Sequence, residues 1–190
     1  MAVQKIIPYA HQLLKAFVKQ GDVVIDATVG NGNDTVLLSQ LVGEKGKVFG
    51  FDIQAEAIER TTERLQNSLH IHNVQLFLAG HEKVKSFVPE QFWGKISASI
   101  FNLGYLPKGN HQITTKADTT ILAIQDMFEI MKSGGIIVLV IYSGHPEGKV
   151  EKEVVMDYVK SIDQTKADVL LYQFINQKNA PPFIIAIEKK

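Results

Sequence analysis

Two aspartates and two glycines stand at the ends of the first two apolar runs of the sequence. The run 23–26 ends in Asp26 and is followed by a loop that contains Gly30 and Gly32, and Asp52 ends the next run, 20 residues after Gly32. Glycine lets a backbone turn sharply and approach a ligand closely, and an acid at the second strand end can accept two hydrogen bonds from a ribose diol. This spacing predicts a nucleoside cofactor that lies across the ends of two adjacent parallel strands.

The residues of this loop favour S-adenosylmethionine over a dinucleotide. A dinucleotide site normally reads Gly-x-Gly-x-x-Gly, whereas Thr35 stands three positions after Gly32. A pyrophosphate also binds best at a positive helix terminus, but Asp26 precedes this loop and Asp34 follows it. Two acids suit a ligand with a sulfonium and an ammonium group, which disfavours a nicotinamide oxidoreductase. The alternative is a structural turn in which Asp34 is a surface acid.

The fourth apolar run ends in a segment that predicts a site for an amine. Asn102-Leu103-Gly104-Tyr105-Leu106-Pro107 resembles a variant of the Asn/Asp-Pro-Pro-Tyr motif of amine-directed methyltransferases, with Leu-Gly in place of Pro-Pro. In that motif Asn102 and Tyr105 would hold a target nitrogen near the methyl group. An in-line displacement depends mainly on such positioning. The alternative is a strand end followed by a plain turn.

Other strand ends carry further candidates. His81 and Glu82 follow the third apolar run, where we expect contacts with adenine, and Tyr142 and His145 follow the fifth, where we expect contacts with the substrate. His145 is a candidate base, although a loop histidine can also be merely solvated. Thr119 stands near a predicted helix start and is either a cap or a substrate contact.

Helix-like and strand-like segments alternate along the chain and would position these residues. This alternation predicts a mostly parallel sheet with helices on both faces. The last two strands are joined by a segment too short for a crossover helix, so we expect them to be antiparallel. This is the α/β, Rossmann-like layout of class I methyltransferases, with a seven-stranded sheet and an antiparallel last strand, in a single domain over residues 1–190. The predicted helices are 5–19, 34–42, 55–68, 117–131 and 147–162, and the predicted strands are 23–28, 47–52, 74–79, 96–102, 136–142, 168–175 and 183–188.

Composition limits the class of protein further. The 190 residues include 20 basic and 20 acidic side chains, so no global field attracts nucleic acid and RNA binding would rest on a local patch. The absence of cysteine excludes disulfides and thiolate chemistry, and no spacing predicts a metal site. No apolar run approaches the ~20 residues of a membrane span. Since the first residues also lack a signal-peptide pattern, we expect a cytoplasmic protein.

With these motifs the chain resembles a compact bacterial family of methyltransferases that carries the label of rRNA methylase. The family includes the tRNA wobble-uridine methyltransferase that completes 5-methylaminomethyl-2-thiouridine. The resemblance spans nearly the whole chain, and the matching segments are 26–35, 101–107, 119–120 and 142–148.

The resemblance implies methyl transfer from S-adenosylmethionine to the primary amine of 5-aminomethyl-(2-thio)uridine at the wobble position (U34) of tRNA. It implies that Asn102 and Tyr105 position the amine. Because an alkylamine must be neutral to attack, we further expect His145 or Tyr105 to pass its proton to water, so the catalytic candidates are Asn102, Tyr105 and His145. The substrate would contact Tyr105, Leu106, Thr119, Tyr142 and His145. The motifs and the resemblance together assign to the cofactor Asp26, Gly30, Asn31, Gly32, Asn33, Asp34, Thr35, Asp52, Ile53, Gln54, His81, Glu82 and Asn102.

Other acceptors and one other class of protein remain open from the sequence. The alternative acceptors are rRNA and a small-molecule amine, and the alternative class is a module that senses the cofactor without catalysis. We expect tRNA to bind through its anticodon arm, with no membrane or metal partner. We also expect a homodimer, with the apolar C-terminal hairpin and Phe92-Trp93 as candidate contacts.

Overall fold

The computed structural model describes residues 3–66, 71–104, 115–144 and 146–190. Its helices are α1 (Ile6–Phe17), α2 (Asn33–Val42), α3 (Ala55–Gln66), α4 (Val84–Phe87), α5 (Ala117–Ile130) and α6 (Pro146–Lys160). Its strands are β1 (Val23–Asp26), β2 (Lys47–Asp52), β3 (Val74–Leu78), β4 (Ile96–Leu103), β5 (Met131–Ile141), β6 (Ala167–Tyr172) and β7 (Phe183–Lys189).

All seven strands form one sheet in the order β3-β2-β1-β4-β5-β7-β6. The strands β1 to β5 pair in parallel, while β7 runs antiparallel to both β5 and β6. The predicted class I methyltransferase layout is therefore confirmed. The strand order reverses at β1, which has β2 on one side and β4 on the other, and a ligand crevice is expected at such a switch point, outside the carboxyl ends of the strands.

The sheet is covered on both faces, because its central strands are apolar at nearly every position. On one face Phe49, Phe51 and Phe101 pack with buried residues of α4, α5 and α6. On the other face Leu14 of α1 and Leu38 of α2 pack with alternate residues of the same strands. Burying a side chain of this size contributes about 1.5–3 kcal/mol. The core therefore fixes the carboxyl ends of β1, β2, β4 and β5 relative to one another.

The largest departure from the predicted elements is the start of β5. This strand begins at Met131, directly after α5, and not at position 136. Met131 pairs with Ile96 and Ile136 pairs with Ala98, so the residues between them bulge out of the ladder. Gly134 permits this bulge, because its φ of 71° is one that other residues rarely adopt.

The edge strand β6 keeps apolar side chains exposed. Leu170 and Leu171 are each 46% exposed. In contrast, Phe92 and Trp93 pack against the core of the same chain, and the Trp93 indole N–H donates to the carbonyl of Val88. Of the two candidate dimer contacts, the C-terminal hairpin is thus the one with exposed apolar surface. Within the described residues, no helix has the length and apolar character needed to cross a membrane.

Candidate active site

A cavity of about 1060 Å³ opens at the carboxyl ends of the parallel strands β1 to β5. Its volume is at the upper end for ligand sites, which usually measure roughly 300–1,000 Å³. Most of the predicted site residues line it, namely Gly30, Asn31, Asn33, Asp34, Asp52, Ile53, Gln54, His81, Glu82, Asn102, Thr119 and Tyr142. The structure thus brings together residues from the ends of five strands, β1 to β5, and from the start of α5.

Asp52 is fixed by the glycine loop that faces it. Its Oδ2 accepts the backbone N–H of Gly30 at 2.9 Å, and its Oδ1 accepts the backbone N–H of Gln54, also at 2.9 Å. Gly30 and Gly32 have φ values of 52° and 75°, which explains why glycine stands at both positions. Each carboxylate oxygen has a second lone pair, so Asp52 can also accept hydrogen bonds from a ribose diol.

Helix α3 braces the glycine loop from outside the cavity. Arg64 donates to the carbonyl of Asn31 at 3.0 Å and to Oδ1 of Asn33 at 2.6 Å. Arg60 donates to Oδ1 of Asn31 at 3.3 Å, and the hydroxyl of Thr61 donates to the carbonyl of Gly30 at 3.2 Å. This support was not predicted from the sequence. The sequence pattern that could have revealed it is the spacing of Arg60 and Arg64, since residues four apart lie on one face of a helix.

Three residues assigned to the cofactor lie behind the cavity wall and not on it. Asp26, Gly32 and Thr35 are buried, and the cavity lining does not include them. Asp26 accepts the hydroxyl of Thr35 at 2.6 Å and the backbone N–H of Thr28 at 3.2 Å. Burial, reinforced by the negative charge of Asp34, raises the pKa of Asp26 from 3.8 to about 7. Asp26 and Thr35 stabilise the loop through their mutual hydrogen bond, and Gly32 contributes through its backbone N–H, which donates to the carbonyl of Val29.

Asp34 links Asn102 to a histidine of helix α1. The side-chain amide of Asn102 donates through Nδ2 to Oδ2 of Asp34 at 2.5 Å, and Nε2 of His11 lies 2.6 Å from Oδ1 of the same carboxylate. The backbone N–H of Asn102 donates to Oγ1 of Thr28 at 2.7 Å. Since a carboxylate only accepts, the Asn102 amide turns its nitrogen toward Asp34. Its carbonyl oxygen is then the group that Asn102 offers to the cavity.

His81 is a buried, neutral histidine in the cavity wall. Its Nδ1 lies 3.2 Å from the carbonyl of Ala27, which can only accept, so Nδ1 carries the hydrogen. Burial lowers the pKa of His81, which keeps the ring neutral and makes Nε2 an acceptor. Among the described residues Nε2 has no hydrogen-bond partner. An orphaned acceptor next to the cavity suits a ligand that brings donors, such as the amino group of adenine.

The remaining wall comes from the start of α5 and the end of β5. The Thr119 hydroxyl lines the cavity and donates to the carbonyl of Lys116 at 3.0 Å, but it accepts no capping bond from the first turn of α5, so the structure does not make Thr119 the helix cap. Burial and the charge of Asp34 raise the pKa of Tyr142, so its phenol stays protonated. Glu151 of α6 is buried and accepts the Thr120 hydroxyl at 2.8 Å, which ties α6 to α5 beside the site.

Three predicted residues, Tyr105, Leu106 and His145, lie outside the described residues. The wall also includes residues that were not predicted and that lie away from the strand ends, among them Ile7, His11, Lys116 and Ala180. Ile7 and His11 come from α1, and Ala180 comes from the connection between β6 and β7. No strand-end pattern marks them, because tertiary packing alone brings these segments to the cavity. In the described part of the chain, no group of three His, Asp or Glu side chains could hold a metal ion.

Known proteins are similar to this chain in both fold and sequence. A crystal structure from Clostridium thermocellum, described as a "putative rRNA-methylase", is 45% identical over 100% of both chains, with a TM-score of 0.96. A protein from Streptococcus mutans described as "a putative methyltransferase", in complex with S-adenosylhomocysteine, is 41% identical over 99% of both chains, with a TM-score of 0.88.

A curated relative has a more specific description. The chloroplastic tRNA (mnm(5)s(2)U34)-methyltransferase of Arabidopsis thaliana is 36% identical over 98% of this chain and 70% of its own length. Two family models match as well. The model described as "Putative rRNA methylase" covers residues 48–188, and that of protein-L-isoaspartate(D-aspartate) O-methyltransferase covers residues 2–89.

The fold and the cavity define a class I methyltransferase that uses S-adenosylmethionine. The wall fits this cofactor, because Asp52 can hold a ribose, His81 offers an acceptor and Asp34 places negative charge where a cation would bind. Within this class the chain belongs to the "Putative rRNA methylase" family, whose model matches residues 48–188.

Proposed function

We propose that this protein methylates the primary amine of 5-aminomethyl-(2-thio)uridine at position 34 of tRNA. The observation that carries the proposal is the orientation of Asn102, whose amide nitrogen donates to Asp34. The carbonyl oxygen of Asn102 is then an acceptor for an N–H of an amine in the cavity. The printed name of the 36% identical Arabidopsis relative supports the choice of this acceptor.

The side chains of the wall would position the amine for an in-line attack. When bound, S-adenosylmethionine supplies an electrophilic methyl group on a cationic sulfur. A hydrogen bond from the amine N–H to Oδ1 of Asn102 restricts the direction in which the nitrogen lone pair points. Less orientational freedom is then lost on reaching the transition state, which lowers the barrier. The positive charge of the neighbouring sulfonium would disfavour the charged form of the amine. Tyr105 or His145 remains the proposed route by which its proton reaches water.

The size and surroundings of the cavity support an RNA acceptor. A volume of about 1060 Å³ leaves room for a nucleoside next to the cofactor, and Lys116 on the rim can meet a phosphate. We include in the proposal the anticodon arm as the bound part of tRNA, a single catalytic domain over residues 1–190 and a cytoplasmic location. The Arabidopsis relative is named as chloroplastic.

A homodimer is part of the same proposal. Two features of β6 support it. This strand lies at the edge of the sheet, where a second chain can pair with it, and its Leu170 and Leu171 side chains are exposed. Light scattering after size exclusion is expected to give twice the monomer mass for the wild type. The mass of one chain would remove the dimer from the proposal.

Nucleoside mass spectrometry tests the reaction. The purified protein and S-adenosylmethionine are incubated with separate tRNA and rRNA pools from cells that lack the gene. We expect 5-aminomethyl-2-thiouridine in the tRNA pool to become its methylamino form. A new methylated nucleoside in rRNA alone would replace the proposal with an rRNA acceptor. No product in either pool, with cofactor binding intact, would favour a small-molecule amine or a sensor of the cofactor.

A variant of Asn102 tests the role of its amide. Loss of one well-placed hydrogen bond to a group that is charged, or that becomes charged in the transition state, costs about 1.5–3 kcal/mol, or roughly 10- to 150-fold in rate. We expect Asn102→Ala to lower kcat within this range and to change the Kd of S-adenosylhomocysteine much less. Gln91→Ala removes an exposed amide outside the cavity wall and is the matched control. An unchanged kcat for Asn102→Ala contradicts the assignment.

A further inference from the structure

We infer that His11 of helix α1 is a positioning residue for methyl transfer, which acts on Asn102 through Asp34. His11 Nε2 lies 2.6 Å from Oδ1 of Asp34, and Asn102 Nδ2 lies 2.5 Å from Oδ2. The two donors thus hold the two oxygens of one carboxylate. The inference rests on the proposed function, in which the Asn102 amide orients the acceptor amine.

Helix α1 is a firm base for this histidine. Its residues Ile6, Ala10 and Leu14 are buried in the core cluster that covers one face of the sheet. His11 follows Ala10 directly, and its side chain is 27% exposed and lines the cavity, while the Asp34 side chain is only 12% exposed. A rigid helix therefore presents a ring N–H to a carboxylate that is largely shielded from water.

The hydrogen-bond pattern explains why Asp34 needs a second donor. An aspartate side chain rotates about its two single bonds, and one hydrogen bond leaves a range of orientations open. Hydrogen bonds to a charged group are stronger than those between neutral groups, and water weakens the two bonds to Asp34 little because its side chain is only 12% exposed. With His11 and Asn102 on opposite oxygens, the carboxylate plane is fixed, and the Asn102 amide is fixed with it. The carbonyl oxygen of Asn102 is then held in one position, which is the requirement for an in-line attack.

A purely structural role for His11 predicts a different outcome. If the contact with Asp34 only ties α1 to α2, its loss lowers the free energy of unfolding and leaves kcat per folded molecule unchanged. If it positions Asn102, its loss lowers kcat in protein that is still folded. A misplacement of about 1 Å at a reacting group can cost 10²-fold in rate.

Two variants of His11 separate these roles. His11→Gln keeps an N–H donor near the position of Nε2, whereas His11→Leu keeps the bulk and removes the donor. We expect His11→Leu to lower kcat by roughly 10- to 100-fold, with the Kd of S-adenosylhomocysteine and the KM for RNA changed far less. His11→Gln is expected to recover most of the rate. His72, an exposed histidine outside the cavity wall, gives the matched controls His72→Leu and His72→Gln.

Crystal structures with S-adenosylhomocysteine give a second readout that does not depend on the acceptor. We expect the contact between Asn102 Nδ2 and Asp34 to be lost or rotated in His11→Leu and restored in His11→Gln. A His11→Leu protein with wild-type kcat, or with its Asn102 and Asp34 side chains in place, overturns the inference. If the wild type methylates no RNA, the proposed function fails, and the crystal structures still decide whether His11 holds Asn102.

Discussion

At the scale of single residues, the carboxylates of the cavity first hydrogen-bond to groups of the chain itself. Asp52 holds two backbone N–H groups, and Asp34 holds two side chains. Because these bonds are present without a ligand, neither side chain must be ordered when the cofactor binds. Ordering a side chain on binding costs about 0.5–1.5 kcal/mol, so this arrangement favours a higher affinity.

Asp52 gives the sharpest prediction for cofactor affinity. Asp52→Asn replaces an acceptor oxygen by an amide group, which conflicts with the N–H of either Gly30 or Gln54 and weakens contact with a ribose diol. We expect the Kd of S-adenosylhomocysteine to rise by roughly 10- to 100-fold, in line with the loss of one or more charge-assisted bonds. Isothermal titration calorimetry measures this change.

The control for this prediction is Asp157→Asn. Asp157 is an exposed acid on α6 outside the cavity wall, so its neutralisation is expected to leave the Kd unchanged. Equal Kd values for Asp52→Asn and the wild type would remove Asp52 from the cofactor site.

Strand-end residues of the site were predictable from the sequence, and residues from distant elements were not. Asp52 and Asn102 stand at the ends of apolar runs and Gly30 lies in the loop after one, and parallel strands bring such ends to one edge. His11 and Ala180 reach the same cavity only through packing of α1 and of the connection between β6 and β7. No local pattern encodes that packing. The inward turn of Asp26 was equally invisible, because it depends on its bond with Thr35.

At the scale of elements, the glycine loop depends on α3 as closely as on its own backbone. A Cβ atom at Gly32 would lie 2.7 Å from Oγ1 and 2.8 Å from Cγ2 of Thr61. Thr61 in turn donates to the carbonyl of Gly30. The loop and α3 therefore fit each other at a contact distance that only glycine allows.

Gly32→Ala tests this fit, with Gly94→Ala as its control. Both glycines have nearly the same φ, 75° and 74°, but a Cβ at Gly94 meets nothing within 4 Å. Both variants are expected to lose about 1–2 kcal/mol to backbone strain. Gly32→Ala is expected to lose a further 1–3 kcal/mol or so, because Thr61 must move. Urea unfolding measures the difference, and equal losses would show that the contact with Thr61 carries no cost.

The sequence predicts element types better than element starts. All seven strands were predicted, since runs of Val, Ile and Phe mark buried strands. The early start of β5 was not, because the bulge at Gly134 and the pairing of Met131 with Ile96 arise only in the assembled sheet. The four-residue helix α4 was also missed, since it is too short for a helical period to show.

At the scale of the whole molecule, buried Asp26 makes stability depend on pH. Its pKa is 3.8 when unfolded and about 7 when folded, so the folded state binds more protons between these values. The free energy of unfolding therefore falls as the pH rises from about 4 to about 7, and the loss is complete above that range. A shift of about 3 units corresponds to roughly 4 kcal/mol.

Asp26→Asn is expected to remove this dependence in the cofactor-free protein. An amide can accept from Thr28 N–H and donate to the Thr35 hydroxyl, so both contacts can remain without a buried charge. We expect the variant to be more stable than the wild type at pH 8 by up to about 4 kcal/mol and to converge with it near pH 4. Urea unfolding across this range measures the effect.

Asp157→Asn again serves as the control, because an exposed acid should shift stability little at either pH. If the difference between Asp26→Asn and the wild type does not change with pH, Asp26 is not the group responsible.

The reversal of β7 has a consequence for how this fold can diverge. Because β7 runs against β5, its first residue lies at the same edge as the carboxyl ends of the parallel strands, and the preceding connection reaches the cavity at Ala180. Asp52, Gln54 and His81 lie on the other half of the sheet. Under the proposed function, a mutation or insertion between β6 and β7 is therefore expected to alter the side of the cavity that receives the acceptor and to spare the cofactor side. New acceptor preferences can evolve, or be engineered by exchanging this connection, without rebuilding the methyl-donor site.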